Sequence, residues 1–303
     1  MPKFNVEKLI TIDATEAKVR GAIQDFAQWE TWSPWLCMEP EAKLTVEGSA
    51  ATVGHAYEWT GDMVGAGRME LAEIDGNTDK MNLTFLRPFK STAKVELETT
   101  ALSETQTRVT WRMQSGLPFF MFFMVNTMKA MIGMDYERGL KLLKEYTETG
   151  AVTSRTKVLG IVDVAATDYI GITADTELKG ISESMESTMP RVMEQATGKE
   201  TQSFTGAIYH KLDIKTQQCR YTAFAPVNKP DATGTIATCR ALKLIHTGSY
   251  QHLGNAWSTA NTWQRHHKLK KNKQVDPFEY YVNDPAQVAS KDLKTEVYLP
   301  VIA

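Results

Sequence analysis

The stretch VDPFEYYVNDP, residues 275–285, contains a segment typical of a β-strand. Among its aromatic and aliphatic residues, which favour burial, stands a single carboxylate, Glu279. Strand alternation puts Glu279 and Tyr281 on one face, and Phe278 and Tyr280 on the other. A carboxylate removed from water costs several kcal/mol unless it is paired, and its pKa rises until a charged or hydrogen-bonding group meets it. Such an acid among aromatic rings would attract a hydrophobic cation, with a cation–π contribution of about 0.5–2 kcal/mol.

Two interpretations of Glu279 need no ligand. The residue would face solvent on an edge strand, or it would form a salt bridge with a lysine of the basic run RHHKLKKNK, residues 265–273. That run is itself expected to be a solvated helix end and turn. The pattern of residues alone leaves both alternatives open.

Length and composition indicate two globular domains. The chain has 303 residues, of which 42% are hydrophobic and 23% charged, enough to fill two cores. A net charge of −2 and a pI of about 6.3 give no overall basic field, so we expect no direct binding to nucleic acid. We expect the partners to be hydrophobic or cationic small molecules, with a protein partner or a homodimer as an open alternative.

The cysteines and histidines predict no metal site. Cys37, Cys219 and Cys239 are an odd number without a CxxC pair, which disfavours a disulfide framework and a zinc site. The six histidines show no paired ligand spacing, so we expect no metal and no cofactor. The N-terminus lacks the pattern of a signal peptide, and the longest apolar run is far too short to span a membrane. We therefore expect a cytoplasmic protein.

The first half of the chain has the pattern of an α+β domain. FNVEKLITI predicts a strand, and residues 15–32 predict one helix capped by Thr15. Short strand-like runs separated by Gly, Asp, Asn and Pro then follow up to Ser115, as in an antiparallel meander. After Pro118 the apolar residues recur at three- and four-residue steps, which predicts a long helix that ends at Gly150.

Residues 3–148 resemble the SRPBCC superfamily, the START-like or polyketide-cyclase-like helix-grip fold. The resemblance lies in FAQWETWSPW after the first helix, GHAYEWTGDMVGAGRMEL across a hairpin, and the long final helix. It implies a curved antiparallel sheet around that helix, and a cavity for lipids, steroids or polyketides. We predict a ligand-binding domain at residues 1–149, with ordinary core packing as the alternative for each cavity residue. The predicted cavity residues are Tyr57, Trp59, Met124 and Met128, and Trp32, Trp35 and Arg68 are further candidates for its mouth or wall.

The second half contains a weak internal duplication. Two helical segments, ISESMESTMPRVMEQATGK and LGNAWSTANTWQRHHKLKK, are each preceded by a strand, in KVLGIVDVAATDY and RALKLIHTGSY. GAIYHKLD aligns with PFEYYVND, and YTAFAPV with TEVYLPV, in the same order and at nearly constant spacing. The pattern predicts two copies of strand-helix-strand-strand about a pseudo-two-fold axis. The helices would share one face, and a groove would form where the copies meet.

Residues 153–303 resemble the GyrI-like domain, the effector-binding domain of bacterial multidrug-responsive activators. HTGSYQHLGNAWSTANTW, PFEYYVNDP and DLKTEVYLPV carry the resemblance. It implies that Glu279 lies at the bottom of an aromatic groove and pairs with planar cations. In the first copy, Tyr169 is expected to occupy the turn equivalent to that of Tyr250. The predicted groove residues are Glu279, Tyr281, Tyr209, Tyr250, Trp257 and Tyr169.

These observations favour a binding protein over an enzyme, with two pockets that sense or sequester hydrophobic compounds, cationic ones included. One alternative is a hydrolase of strained electrophiles, with Glu279 as general base beside Trp257 or Trp263. Another is polyketide cyclase or dehydrase chemistry in the first domain. The activators that carry GyrI-like domains have a helix-turn-helix region where this chain has the helix-grip domain, so we expect no direct transcriptional control.

Overall fold

A computed structural model describes residues 3–116 and 119–302, apart from the side chains of residues 119–121. The chain divides into two compact units, one that extends to Val152 and one that starts at Thr153. We call them unit 1 and unit 2 and describe each by itself.

Unit 1 is one antiparallel sheet and three helices. Its strands are β1 (Lys3–Ile12), β2 (Lys43–Glu47), β3 (Ala56–Thr60), β4 (Ala66–Asp75), β5 (Thr78–Arg87), β6 (Ser91–Ser103) and β7 (Gln106–Gly116). The sheet order is β1-β7-β6-β5-β4-β3-β2, a meander closed by the first strand. Its helices are α1 (Glu16–Gln24), α2 (Trp29–Trp32) and α3 (Val125–Thr149). This arrangement confirms the predicted α+β helix-grip fold.

The first helical segment differs from the prediction, because it is broken at Asp25. Thr15 caps α1 as expected, accepting a hydrogen bond from the Lys18 N–H at 3.3 Å. Asp25 is extended, and its carboxylate accepts from the Ala27 N–H at 3.1 Å, which starts a separate turn. The Phe26 N–H donates to His55 Nε2 at 3.0 Å instead of continuing the helix. The prediction of a single helix over residues 15–32 was therefore wrong.

Helix α3 is the long closing helix of unit 1. It ends at Gly150, whose φ of +86° is the left-handed conformation that favours glycine, as predicted. Its buried face includes Tyr136, Leu140 and Leu143, which pack into the core of the unit. Gly139 on this face allows the ring of Trp111 to approach the helix closely.

Two helical glycines of unit 1 make a matched test of this packing. A Cβ at Gly139 would lie 2.8 Å from Trp111 Cζ3 and 3.0 Å from Pro34 Cδ, whereas a Cβ at Gly21 would meet nothing within 4 Å. Gly139→Ala is expected to cost about 1–3 kcal/mol by overpacking. Gly21→Ala is expected to stabilise by about 0.5–1 kcal/mol through helix propensity. Denaturant unfolding of both variants checks the opposite signs, and equal shifts would contradict the close approach.

Unit 2 is a sheet with two helices on it. Its strands are β8 (Arg155–Val164), β9 (Thr167–Glu177), β10 (Thr205–Asp213), β11 (Gln218–Pro226), β12 (Gly234–Ile236), β13 (Cys239–Thr247), β14 (Lys270–Lys271), β15 (Phe278–Tyr281) and β16 (Lys294–Ile302). The helices are α4 (Ile181–Ala196) and α5 (Leu253–His266). The sheet order is β12-β9-β11-β10-β15-β16-β13-β8, with β14 paired to β16.

The strand order of unit 2 contains the predicted duplication. One copy is β9-α4-β10-β11 and the other is β13-α5-β15-β16, and in each copy the last strand lies between the other two. The copies meet where β10 pairs with β15, so the sheet has a pseudo-two-fold arrangement. The strand before α4 is β9. The sequence pattern had instead matched the segment KVLGIVDVAATDY, most of which forms β8, with the strand before α5, which is β13. Strand β8 pairs with β13 instead, at the edge of the sheet.

Candidate functional site in unit 2

Glu279 lies where the two copies join. It is on β15, opposite Ala207 of β10 and Val297 of β16. The residue is completely buried, with an exposed fraction of 0%. The interpretation of Glu279 as a solvent-facing residue of an edge strand is therefore wrong, because β15 is an interior strand.

Three side-chain donors hold the Glu279 carboxylate. The hydroxyl groups of Tyr209 and Tyr281 each donate to Oε1 at 2.6 Å. The indole N–H of Trp257 donates to Oε2 at 2.9 Å. Strand alternation explains the placement of Tyr281 two residues along β15, while Tyr209 comes from β10 and Trp257 from the face of α5 that lies on the sheet.

Aromatic rings cover this carboxylate. Tyr209 and Trp257 meet edge to face, with ring centroids 5.4 Å apart and an interplanar angle of 81°. Tyr250 contacts Tyr281 in the same way at 5.4 Å. Tyr250 lies on the short 3-10 turn that leads into α5, so it is held by a turn and not by the sheet. All four rings are half-buried, so the site reaches the surface through them.

Burial dominates the electrostatics of the site. It raises the pKa of Glu279, while the hydrogen bonds from Tyr209, Tyr281 and Trp257 work against that rise. Burial and the neighbouring carboxylate also hold the pKa values of Tyr209 and Tyr281 well above the ordinary range. Tyr250 is raised to a pKa of about 12 by burial, with a smaller effect from Glu279. Burial thus raises the pKa of the carboxylate and of the three tyrosines around it.

The structure brings together five of the six predicted groove residues. Glu279, Tyr281, Tyr209, Tyr250 and Trp257 form the cluster, but Tyr169 does not belong to it. Tyr169 lies on strand β9, and its ring packs against Phe224 at 5.2 Å in a different core cluster. The expectation that Tyr169 occupies a turn equivalent to that of Tyr250 was wrong. The strand before α4 is β9, and Tyr169 lies within that strand and not in the turn that follows it.

Trp263 and the lysines of the basic run, which the sequence also offered as partners of Glu279, make none of the hydrogen bonds to its carboxylate described above. Trp263 is on the last turns of α5, where its ring stacks on His267 at 3.6 Å. The lysines of residues 265–273 form no ion pair with Glu279 within the described part of the chain. The donors to the carboxylate are therefore neutral groups.

The sequence did not single out the opposite face of the sheet. A cavity of about 340 Å³ lies there, and its wall includes Phe204, Tyr280, Tyr298 and Lys243. Lys243 pairs with Glu296 at 2.7 Å and lies over the Tyr298 ring, 5.2 Å from its centroid. The one sequence feature that pointed to this face was strand alternation, which puts Tyr280 on the side of the sheet opposite Glu279.

In unit 1 the predicted cavity residues lie in or near a filled core. Tyr57 is buried among Phe26 and Trp29, with ring centroids 5.2 and 5.7 Å away. The indole N–H of Trp59 donates to the Val64 carbonyl at 3.2 Å. Met128 is half-buried against the same core, and Met124 is half-buried at the start of α3.

The further candidates of unit 1 have separate places. Trp32 is fully buried, and Trp35 is half-buried with its indole N–H directed to Asp135 at 3.2 Å. Arg68 lies on the outer face of the sheet among carboxylates and not in a cavity wall, since it pairs with Glu47 and Glu58 at 2.9 Å each. That placement was wrong because the inward position of this strand is the neighbouring Met69, which is 2% exposed.

The fold and the site define a class: a helix-grip unit and a duplicated α+β unit with a buried acid. Residues 3–148 match the family described as polyketide cyclase / dehydrase and lipid transport. Residues 160–302 match the family described as GyrI-like small molecule binding domain. The chain is therefore a fusion of one domain from each of these families.

Solved structures and curated proteins complete the comparison. The ZhuI aromatase/cyclase of Streptomyces sp. R1128 is 11% identical, with 48% of this chain and 94% of that chain covered and a TM-score of 0.38. The C-terminal domain of EcmrR is 16% identical, with 50% of this chain and 99% of that domain covered and a TM-score of 0.39. No curated protein matches the chain. In the part of the chain that is described, no helix is long and apolar enough to cross a membrane.

Proposed function

We propose that unit 2 binds planar hydrophobic cations over Glu279. One observation carries this proposal: a fully buried carboxylate lies under aromatic rings and accepts hydrogen bonds from neutral donors. Neutral donors leave the negative charge uncompensated, so a cation at this place gains both a charge partner and cation–π contacts. A protein with such a site would sense or sequester its ligand.

Ligand entry would require one ring to move. Tyr250 and Tyr281 are half-buried and cover the carboxylate from the surface. Of the two, Tyr250 is on a short turn, whereas Tyr281 is fixed on β15 and donates to Glu279. We infer that an entering cation displaces the Tyr250 ring and stacks between the remaining aromatic groups.

Calorimetric titration of the full chain with ethidium, a planar cation, tests the proposal against a neutral polyaromatic compound of similar size. Glu279→Gln is expected to weaken ethidium binding at least about tenfold, or 1.4 kcal/mol, and to leave the neutral compound unaffected. Glu296→Gln is the matched control, because Glu296 is a half-buried carboxylate paired with Lys243. Cation binding that is absent, or equal in wild type and Glu279→Gln, would contradict the proposal.

A second candidate function is hydrolysis of an electrophilic ligand. Burial raises the pKa of Glu279 towards the value that suits a general base, and the Trp257 N–H orients the carboxylate. Product analysis by mass spectrometry would show turnover that Glu279→Gln abolishes while binding of the intact ligand persists. Binding without turnover in the wild type would leave the sensing or sequestering function.

For unit 1 the proposal is the binding of an apolar ligand near the start of α3. Met124 and Met128 are half-buried there, and thioether side chains adapt to irregular apolar shapes. The interior further along the helix is occupied by the rings around Trp111, which leaves this end as the place for a ligand. Cyclase or dehydrase chemistry in unit 1 stays a prediction.

A further inference from the structure

Unit 1 exposes large apolar side chains at one end of its sheet. Phe89 is 80% exposed in the turn between β5 and β6, and Leu86, near the end of β5, is 47% exposed. Phe122 and Phe123, just before α3, are 62% and 68% exposed, and their rings meet edge to face at 6.1 Å. We call these four side chains the apolar tip. Single exposed hydrophobic residues are ordinary, but four large ones at one end of a fold mark an interaction surface.

The sheet register places the two segments at the same end. Phe85 pairs with Ser91 around the β5–β6 turn, and Ala93 pairs with Ser115 near the end of β7. The segment with Phe122 and Phe123 follows β7 after a short connection. The turn and this segment therefore both leave the sheet at the edge where β7 ends.

Most of the charges around the tip are positive. Residues 86–94 and 119–134 together contain four basic residues and no acidic one. Those residues are Arg87, Lys90, Lys94 and Lys129, and all four are exposed. The adjacent β3–β4 turn carries one exposed acid, Asp62. Glu39, from the loop before β2, also reaches this turn, but its carboxylate already accepts from the backbone N–H groups of Met63 and Val64 at 2.9 Å each. The chain as a whole is slightly acidic, so this basic surround is local.

We propose that the apolar tip docks unit 1 on the surface of an anionic lipid bilayer. Phenyl rings partition into the boundary between headgroups and acyl chains, and flanking lysine and arginine side chains add attraction to anionic headgroups. A basic rim around exposed phenylalanines fits this partner better than an acidic or neutral one. Docking would place the end of unit 1 with Met124 and Met128 against the lipid.

Flotation of the full chain with lipid vesicles tests the proposal. The wild type is expected to float with vesicles rich in phosphatidylglycerol, to bind phosphatidylcholine vesicles much more weakly, and to be released partly by high salt. Phe122→Ser combined with Phe123→Ser is expected to lower the partition coefficient at least about tenfold, since two rings that would be buried in the lipid are lost. Phe89→Ser alone should lower it by less.

Val53→Ser is the matched control, because Val53 is 62% exposed in the β2–β3 turn at the other end of the sheet. It should leave vesicle binding unchanged. No flotation of the wild type, or equal losses for Val53→Ser and the phenylalanine variants, would overturn the proposal. Concentration-dependent dimers that the phenylalanine variants abolish, without vesicle binding, would assign the tip to a second copy of the chain. Light scattering without lipid measures that outcome, and it leaves the Glu279 proposal untouched.

Discussion

Wild-type unit 2 is expected to lose stability relative to Glu279→Gln as the pH rises from 4 to 9. Burial raises the pKa of Glu279 in the folded chain above its unfolded value of about 4.5. The folded state therefore binds the proton more tightly than the unfolded chain does. This contribution is fully present below the unfolded pKa and is lost as the pH rises through the folded pKa. Glutamine carries no titrating proton and lacks the effect.

The comparison isolates Glu279 from its neighbours. The titratable groups that interact with it are Tyr209, Tyr281, Tyr250 and Cys219, whose pKa values are all raised mainly by burial, and they keep their protons below pH 9. His246 has a pKa lowered to about 4, mainly by burial, but it is present in both proteins. Its contribution cancels in the difference between the two unfolding temperatures.

Scanning calorimetry of both full chains measures this difference at each pH. The transition that shifts between the two proteins identifies unit 2, and the other transition serves as an internal reference. A difference that stays constant from pH 4 to 9 would mean that the three hydrogen bonds offset burial completely. A wild type that gains stability relative to Glu279→Gln as the pH rises would mean that the folded chain stabilises the carboxylate as an anion.

Sequence periodicity was sufficient for most of the fold. The meander of unit 1, the cap at Thr15 and the end of α3 at Gly150 depend on neighbouring residues, and all three were predicted. The break at Asp25 depends on the contact of the Phe26 N–H with His55, which is distant in sequence. Local patterns carry no information about such a contact.

The Glu279 site shows the same division. Alternation along β15 put Tyr281 on the side of Glu279, and the duplication together with the family resemblance added Tyr209 and Trp257. Tyr169 was misplaced because β8 and β9 have similar strand patterns, and only the sheet order decides which of them belongs to the first copy. The donor atoms and their distances required the three-dimensional structure, since they join β10, β15 and α5.

Trp111→Ala is expected to destabilise unit 1 by about 3–5 kcal/mol, the cost of removing a buried tryptophan. Trp111 is completely buried on β7, and its ring stacks on Tyr136 at 4.2 Å. Trp29, Trp32 and Trp35 meet its edges at 5.8 to 6.0 Å. Urea unfolding measures the loss, and Trp111→Phe should keep part of the ring packing and lose less. A loss below about 1 kcal/mol would contradict the tight packing of this core.

The cavity left by Trp111→Ala also decides whether the interior of unit 1 is filled. An apolar cavity of side-chain size binds small aromatic compounds, so indole is expected to raise the unfolding temperature of the variant. It should stabilise the wild type much less, because the indole ring of Trp111 already occupies the space against Gly139 and Pro34. Equal stabilisation of both proteins by indole would reveal an open pocket around Trp111 in the wild type. The ligand of unit 1 would then enter between the sheet and α3, as the sequence predicted, and the end of the unit near Met128 would be its entrance.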